Sequence, residues 1–415
     1  MRPLLALALL AACTRDPAPA IVRPEPPPIA PSPGSPRTCM DHAIGSQDAA
    51  RCWVEWLASP ALTGRAPGSP GGETARAGLI AAFTDLSLEP AGEDDTFLQD
   101  LPRGASVLAL VPGKDPAREH EVVVVGAHYD HLGTINGAHY PGADDNASGV
   151  AALVDLARRL AAAPAPRTVL LAAFDAEEPP AYRTAAMGSQ RWVAEPTIAR
   201  DRVVAMIALD VLGGNLWPGA RTPVFVMGRE TVAATGAPDL GLAPVPSRAM
   251  HLRLVEELPT GRQAFSDHGA FFAANIPALF ISSGRSPHYH RTTDLPQHLD
   301  YEKLAAAVTV VEAHVRWLAE SPTRPGWRAE QPVTAADAGV VLELLQQGAA
   351  TPELSGAAAP AIREATAAMA RLAAGDPAAA LAEADARVVI ATSLRLQCLL
   401  TPDDELPAQA CLALP

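Results

Sequence analysis

Residues 121–127 read Glu-Val-Val-Val-Val-Gly-Ala, and four consecutive valines leave a chain few options. β-Branched side chains are stiff at χ1 and fit a pleated strand better than a helix. A run that is apolar on both faces has no side to give to water. It predicts a central strand in a sheet covered on both sides. Thr168–Phe174 (TVLLAAF) and Val203–Leu209 (VVAMIAL) share this character, and shorter apolar runs lie at 106–111 and 278–282. Between them, Val150, Leu153, Leu156 and Leu160 follow helical steps of three and four, and 302–318 reads as a long helix. Segments 40–59 and 71–86 read as amphipathic helices parted by the turn-rich TGRAPGSPGG. Strands alternating with helices predict a three-layer α/β/α sandwich around a mixed, mostly parallel central sheet.

At 415 residues, 48% of them hydrophobic, the chain can bury one large α/β domain and carry additions. A formal net charge of −14 repels phosphates, which excludes nucleic acid and anionic membrane surface as main partners. Arg2 and the apolar run from Pro3 to Ala12 have the form of a signal peptide, too brief to span a bilayer. Leu10-Ala11-Ala12-Cys13 resembles a bacterial lipobox, which implies removal of residues 1–12 and lipidation of Cys13. The expected location is the bacterial cell envelope, at the outer membrane or the periplasmic face. Cys13 would be the only attachment to a membrane. Residues 13–38 comprise that cysteine and a proline-rich tether, extended as polyproline II.

Cys39, Cys52, Cys398 and Cys411 form an even set in an exported chain and predict disulfides. All pairings are open, with the two local ones, Cys39–Cys52 and Cys398–Cys411, preferred for their equal spacing. A catalytic domain is expected over 39–320. A Pro/Trp/Arg linker and a small α-helical C-terminal extension then occupy 321–415, with helices over 334–347, 358–374 and 377–397.

The chemistry-bearing residues cluster at strand ends, where sites form in open α/β sheets. Gly126-Ala127-His128-Tyr129-Asp130-His131 follows the valine run, and a carboxylate two residues beyond an imidazole can accept its second N–H. Pro141-Gly142-Ala143-Asp144-Asp145-Asn146 opens a helix with two adjacent acids. Phe174-Asp175-Ala176-Glu177-Glu178 ends a strand with two glutamates that project differently, so one can bind metal while the other faces water. Asp210 ends VVAMIAL, and His290 lies in Ser286-Pro287-His288-Tyr289-His290-Arg291-Thr292-Thr293-Asp294. Together these provide two imidazoles and three carboxylates, the donor set of a pair of zinc ions sharing one carboxylate.

The ordered series GAHYDHLG, PGADDNASGVAAL, AAFDAEE, MIALDVLGG, FSDHGAFFAANIPALFISSG and YHRTTD resembles the co-catalytic di-zinc aminopeptidase family. That family also includes glutamate carboxypeptidase II and glutaminyl cyclase, and the similarity runs over about residues 45–320. The resemblance implies a zinc-exopeptidase fold, two Zn2+ ions and a peptide substrate. It assigns His128 and Asp210 to one zinc and Glu178 and His290 to the other, with Asp145 bridging. Glu177 matches the general base that deprotonates the bridging water and then protonates the leaving amine. Asp130 matches the carboxylate that orients His128, and Tyr289 a tyrosine that supports the oxyanion. A cis peptide at Asp145–Asn146 is implied as well. His290 is preferred over His288 because Asp294 then stands four residues after the ligand.

After the glutamates this chain reads PPAYRTAAMGS where many relatives have a short G-L-x-G-S turn. That insertion bears on substrate preference. An aminopeptidase is the leading expectation. A carboxypeptidase would need a basic patch, for which Arg183, Arg262, Arg285 and Arg291 are candidates. Glutaminyl cyclases keep one zinc, and a non-catalytic binding lipoprotein should have lost ligands; this chain has lost none.

Overall fold

The computed structural model describes residues 35–215, 221, 223–238, 248–252, 257–258, 261–262, 266–328, 331–349 and 359–400. The signal peptide, Cys13, most of the tether and Cys411 lie outside them, as does the side chain of Cys398. Among the described residues, no helix is long and apolar enough to cross a membrane.

Nine strands form one sheet. They are β1 (Glu89–Pro90), β2 (Leu98–Asp100), β3 (Ala105–Val111), β4 (Val122–His128), β5 (Thr168–Phe174), β6 (Val203–Leu209), β7 (Pro223–Met227), β8 (Arg248–Leu252) and β9 (Ala278–Ser282). The spatial order is β1-β3-β5-β4-β6-β9-β7-β8, with β2 also pairing with β3. The valine strand β4 lies parallel between β5 and β6, with Val124 opposite Leu170 on one side and Met206 on the other. β9 continues the parallel set beside β6. β1, β2 and β3 pair antiparallel, as do β3 with β5 and β9 with β7, so the sheet is mixed.

Because side chains alternate along a strand, the sheet feeds two cores. Val123, Val125 and Ala127 join Leu171 and Ile207 on one face, while Val122, Val124, Leu170 and Met206 serve the other. The first face is covered by α1 (Pro36–Met40), α2 (Gln47–Leu57), α3 (Pro70–Asp85), α4 (Gly149–Ala162) and α7 (Tyr301–Glu320). Trp53, Leu57, Leu79, Leu153 and Leu304 fill it. The second face takes α5 (Gly188–Ala194) and α6 (His268–Ala273), where the Trp192 and Phe271 rings stack 5.3 Å apart. Helix α8 (Ala335–Ala349) adds Val341, Leu344 and Leu345 to the same core, followed by α9 (Ala359–Ala373) and α10 (Glu383–Leu400).

Helix starts follow their capping residues. Ser46 accepts from the Ala49 amide at 3.1 Å, Ser69 from Gly72 at 3.1 Å and Asp300 from Lys303 at 3.1 Å. The helix expected over 40–59 spans only Gln47–Leu57, because Gly45 takes φ +74° and Ser46 caps a new start, while Met40 ends α1. Helix α8 runs one residue past Gly348, and α10 begins later than the expected 377.

Cys39 and Cys52 form a disulfide that joins α1 to α2 across 13 residues. Closing a loop of that size restricts the unfolded chain by about 3 kcal/mol. Cys52→Ser is therefore expected to lower the free energy of unfolding by about 2–4 kcal/mol in an oxidised sample, measured by urea titration. An unchanged midpoint would show that this bridge does not hold α1 in place.

Candidate metal centre

His128 is the last residue of β4, Asp175 to Glu178 leave β5, Asp210 leaves β6, and β9 leads through Ser283 and Gly284 towards Tyr289 and His290. Parallel strands thus deliver their carboxyl ends to one place, and the rigid ladder fixes how far apart the side chains start. Asp144 and Asp145 arrive from the other direction, on the irregular segment that leads into α4. The peptide Asp145–Asn146 is cis.

The structure brings all eight sequence-selected residues together. His128 Nε2 lies 3.4 Å from Asp145 Oδ1, 3.5 Å from Asp210 Oδ1 and 3.9 Å from Glu177 Oε2. His290 Nε2 lies 3.2 Å from both Asp145 Oδ2 and Glu178 Oε2. Tyr289 stacks on His290 with ring centroids 3.9 Å apart. Asp130 sits beside His128, whose Nδ1 is 3.2 Å from the Asp130 carbonyl oxygen and 3.6 Å from its carboxylate. That carboxylate receives more than the sequence indicated. It accepts the backbone N–H groups of Glu177 and Glu178, each at 3.1 Å.

These donors fit zinc. Two ligand atoms on one tetrahedral zinc stand roughly 3.3 Å apart, given bonds of about 2.0 Å. The spacings around His128 and His290 match that value and exceed most hydrogen bonds. Asp145 Oδ2, Asp210 Oδ1 and His290 Nε2 are buried atoms without a hydrogen-bond partner, a costly state for polar atoms unless a cation completes it. Two clusters capable of holding a metal share Asp145: His128, Asp145 and Asp210, and His131, Asp145 and Glu178.

His131 was not among the residues selected from sequence. Its Nδ1 lies 2.8 Å from Glu178 Oε1, which is hydrogen-bond length, and 3.8 Å from Asp145 Oδ2. The short approach makes His131 a donor that orients Glu178, while His290 has the ligand spacing to both carboxylates. Only its place in GAHYDHLG, three residues after His128, pointed to it.

Other buried groups hold the ligand segments. Arg65, fully buried, donates from Nε to the Tyr129 carbonyl (2.9 Å), from one terminal nitrogen to Leu57 and Pro141 (each 2.7 Å), and from the other to Gly142 (2.9 Å). Asp294 accepts the amides of Asp144 (2.9 Å) and Asp145 (3.0 Å), so the residue that set the register of His290 also positions the bridging acid. Asp144 Oδ1 accepts from Gly213 (2.8 Å) and Gly214 (2.9 Å). Tyr129 donates to Asp175 at 2.7 Å and fixes the turn before the glutamates. Val211 and Ala176, each next to an acid of the centre, have φ +47° and +60°, and His290 itself has φ +53°. Left-handed backbone costs a non-glycine residue energy that the surrounding bonds must hold in place.

The charge balance is severe. Burial, then Glu178, Asp210 and Asp267, push Glu177 well above the usual carboxylate range, although His128 opposes them. Burial alone would lower His128, yet Glu177 and Asp210, with hydrogen bonds to Asp130 and Asp145, hold it well above an ordinary imidazole. Burial also opposes protonation of His290, but the charge of Glu178 and the close approach of the Asp145 and Glu178 carboxylates push it up to about 10. Asp267, buried and close enough to feel His128 and Asp210, is raised to about 7, chiefly by desolvation.

A parallel-centred sheet with two donor clusters meeting at one carboxylate is the fold and site of a zinc-dependent metallopeptidase, and the cofactors are two zinc ions. The model of Peptidase family M28 matches residues 106–315, and the chain belongs to that family. It is 31% identical over 234 residues to the uncharacterized protein YfbL of Escherichia coli K12, covering 51% of this chain and 71% of YfbL. It is 25% identical over 219 residues to aminopeptidase YwaD of Bacillus subtilis 168, covering 49% of this chain and only 43% of that relative. LapA of Legionella pneumophila shares the fold, with a TM-score of 0.51 and 21% identity over 66% of this chain and 74% of LapA.

Two outcomes follow from the geometry. At pH 7 the zinc-free His290, raised to about 10, is protonated, His128 is shifted in the same direction, and a zinc ion must displace the imidazole proton. Calorimetry of the chelated protein in buffers of different ionisation enthalpy should find proton release on zinc addition, with affinity rising with pH up to about 10. Uptake of protons, or none exchanged, would contradict the assignment. Arg65→Met leaves the carbonyls of Leu57, Tyr129 and Pro141 without a donor, and Gly142 with only the Ala147 amide, and should cost at least about 3 kcal/mol of stability, read by urea titration of the zinc-loaded protein.

Proposed function

We propose that this metallopeptidase is an aminopeptidase that removes N-terminal residues from peptides, with Glu177 as its general base. One observation carries the reading: Glu177 lies 3.9 Å from the ligand atom of His128, beside the cluster of His128, Asp145 and Asp210 but a member of neither donor cluster. It is thus free to move a proton while Glu178, its neighbour, is held by His131 and His290. When bound, the zinc ions supply Lewis acidity to the scissile carbonyl and to the attacking water.

The chain's own residues do the rest. His128 and Asp210 would hold one ion and Glu178 and His290 the other, with Asp145 placed between the two sets. Asp130 fixes both glutamates by their backbone amides. Glu177 takes the proton of the attacking water and passes it to the leaving amine. Tyr289, stacked on His290, offers its hydroxyl to the developing oxyanion. The surplus of buried acids suits a substrate with a free α-ammonium group. The name of the YwaD relative supports the same reading.

Glu177→Gln should reduce kcat by about 10²–10⁴ with zinc retained near two per chain by elemental analysis. Loss of metal instead would show that Glu177 and Glu178 have exchanged roles. Cleavage confined to N-blocked reporter peptides would overturn the aminopeptidase reading.

A further inference from the structure

The centre holds one cation for which this hydrolysis has no use. Arg285 stands on the segment between β9 and His290, half-buried, with its guanidinium carbon 4.2 Å from the centroid of the Tyr289 ring. Tyr289 in turn stacks on His290. The guanidinium is within electrostatic reach of Asp210, Asp145 and Tyr182, so it faces the catalytic centre from the Tyr289 side. Tyr182 belongs to the loop of residues 179–187 that follows Glu178 and is charge-coupled to Glu177 as well.

What distinguishes Arg285 is the state of its donors. The cation–π contact is its one close contact among the described residues, and no carboxylate or carbonyl there takes its N–H groups. Arg65, by contrast, spends its donors on four carbonyls, and Arg167 bonds Glu121 and the Ser321 carbonyl. An arginine stacked on an aromatic face keeps its planar edge free, and that edge matches a carboxylate in a two-point fork. Of the other arginines a carboxylate site might use, Arg183 and Arg291 are engaged elsewhere. The side chain of Arg262 lies outside the described residues.

We propose that Arg285 is a specificity-determining residue that binds a substrate carboxylate beside the scissile bond. The preferred substrates are then small peptides with an anionic group one residue from that bond. Two sources share this chemistry: the free C-terminus of a dipeptide, and an aspartate or glutamate side chain flanking the bond. Consecutive Cα atoms are about 3.8 Å apart, so a group one residue from the bond remains beside Tyr289. This inference rests on the aminopeptidase reading for the direction of the peptide.

The test uses the zinc-loaded full chain in detergent and compares kcat/KM on matched peptides. One pair is Leu-Leu and Leu-Leu-amide; a second is Leu-Asp-amide and Leu-Asn-amide. The acid should be preferred over its neutral partner by roughly 10- to 100-fold in at least one pair, the value of a charge-assisted hydrogen bond. The pair that shows it identifies the source. In Arg285→Gln that ratio should collapse towards one, mainly through KM, while Arg285→Lys keeps part of it; zinc content and thermal midpoint are recorded for both.

Equal rates on acid and amide in both pairs overturn the proposal. So does an equal loss of kcat on every substrate in Arg285→Gln, which would place the group on the oxyanion instead. The N-acetylated forms of the same pairs separate the two readings. Cleavage of these alone refutes the aminopeptidase, while their acid-to-amide ratio still decides the role of Arg285.

Discussion

Crowded negative charge at the end of the sheet governs the centre. Asp130, Asp144, Asp145, Asp175, Glu177, Glu178, Asp210, Asp267 and Asp294 are all buried. Two like charges at 4 Å repel by about 4 kcal/mol even at an effective dielectric constant near 20. The fold offsets this with fixed donors first: amides of Glu177 and Glu178 on Asp130, of Gly213 and Gly214 on Asp144, and of Asp144 and Asp145 on Asp294. Fixed cations come next, with Arg65 buried beneath the ligand loops and Lys303, its ammonium lowered to about 7 by burial, close to Asp144. Protons take up part of the remainder. Asp144 is raised to about 6 and Asp175 to about 7, each chiefly by desolvation. A pair of divalent cations is the remaining term, which explains why the imidazoles hold protons without them.

The same constraint accounts for the backbone around the ligands. A carboxylate can be satisfied by amides only if the chain turns its N–H groups inward, and Ala176, Val211 and His290 adopt left-handed angles next to or at acids and ligands. Gly142, at φ +61°, lies where an added Cβ would meet the His131 ring at 2.5 Å. That segment carries Asp145 past His131 with no room for a side chain. Ala176 and Val211 each stand two residues beyond a central strand, β5 and β6, whose pairing holds them in place.

Most of this was legible in the sequence, and the reasons for the gaps are physical. Runs apolar on both faces, such as VVVV and TVLLAAF, specify central strands without help from distant residues, so β4, β5, β6 and β9 and their terminal ligands could be placed. The short strands β1, β2, β7 and β8 could not, because PVFVM and RAMHL owe their state to partners at the sheet edges. Arg65 escaped notice since its four acceptors come from residues 57, 129, 141 and 142. Nothing in TGRAPGS distinguishes it from a solvated turn arginine. His131 was hidden by a different cause: its role depends on Glu178, 47 positions away.

The adjacency of Glu177 and Glu178 shows how one local device yields two functions. Both amides bind a single carboxylate, so the two residues share one anchor and cannot drift apart. Their side chains leave a common backbone in different directions and meet different neighbours. Burial and the charge of Asp145 raise Glu178, but the nearby His290 and the hydrogen bond with His131 outweigh them and hold it at about 2. Glu177 has no such donors and rises instead. One carboxylate therefore stays ionised for a metal and its neighbour accepts protons, although the two have the same chemistry. Asp130 makes the division possible from its place two residues after His128, where it ties the first ligand, the base and the second-site ligand to one point.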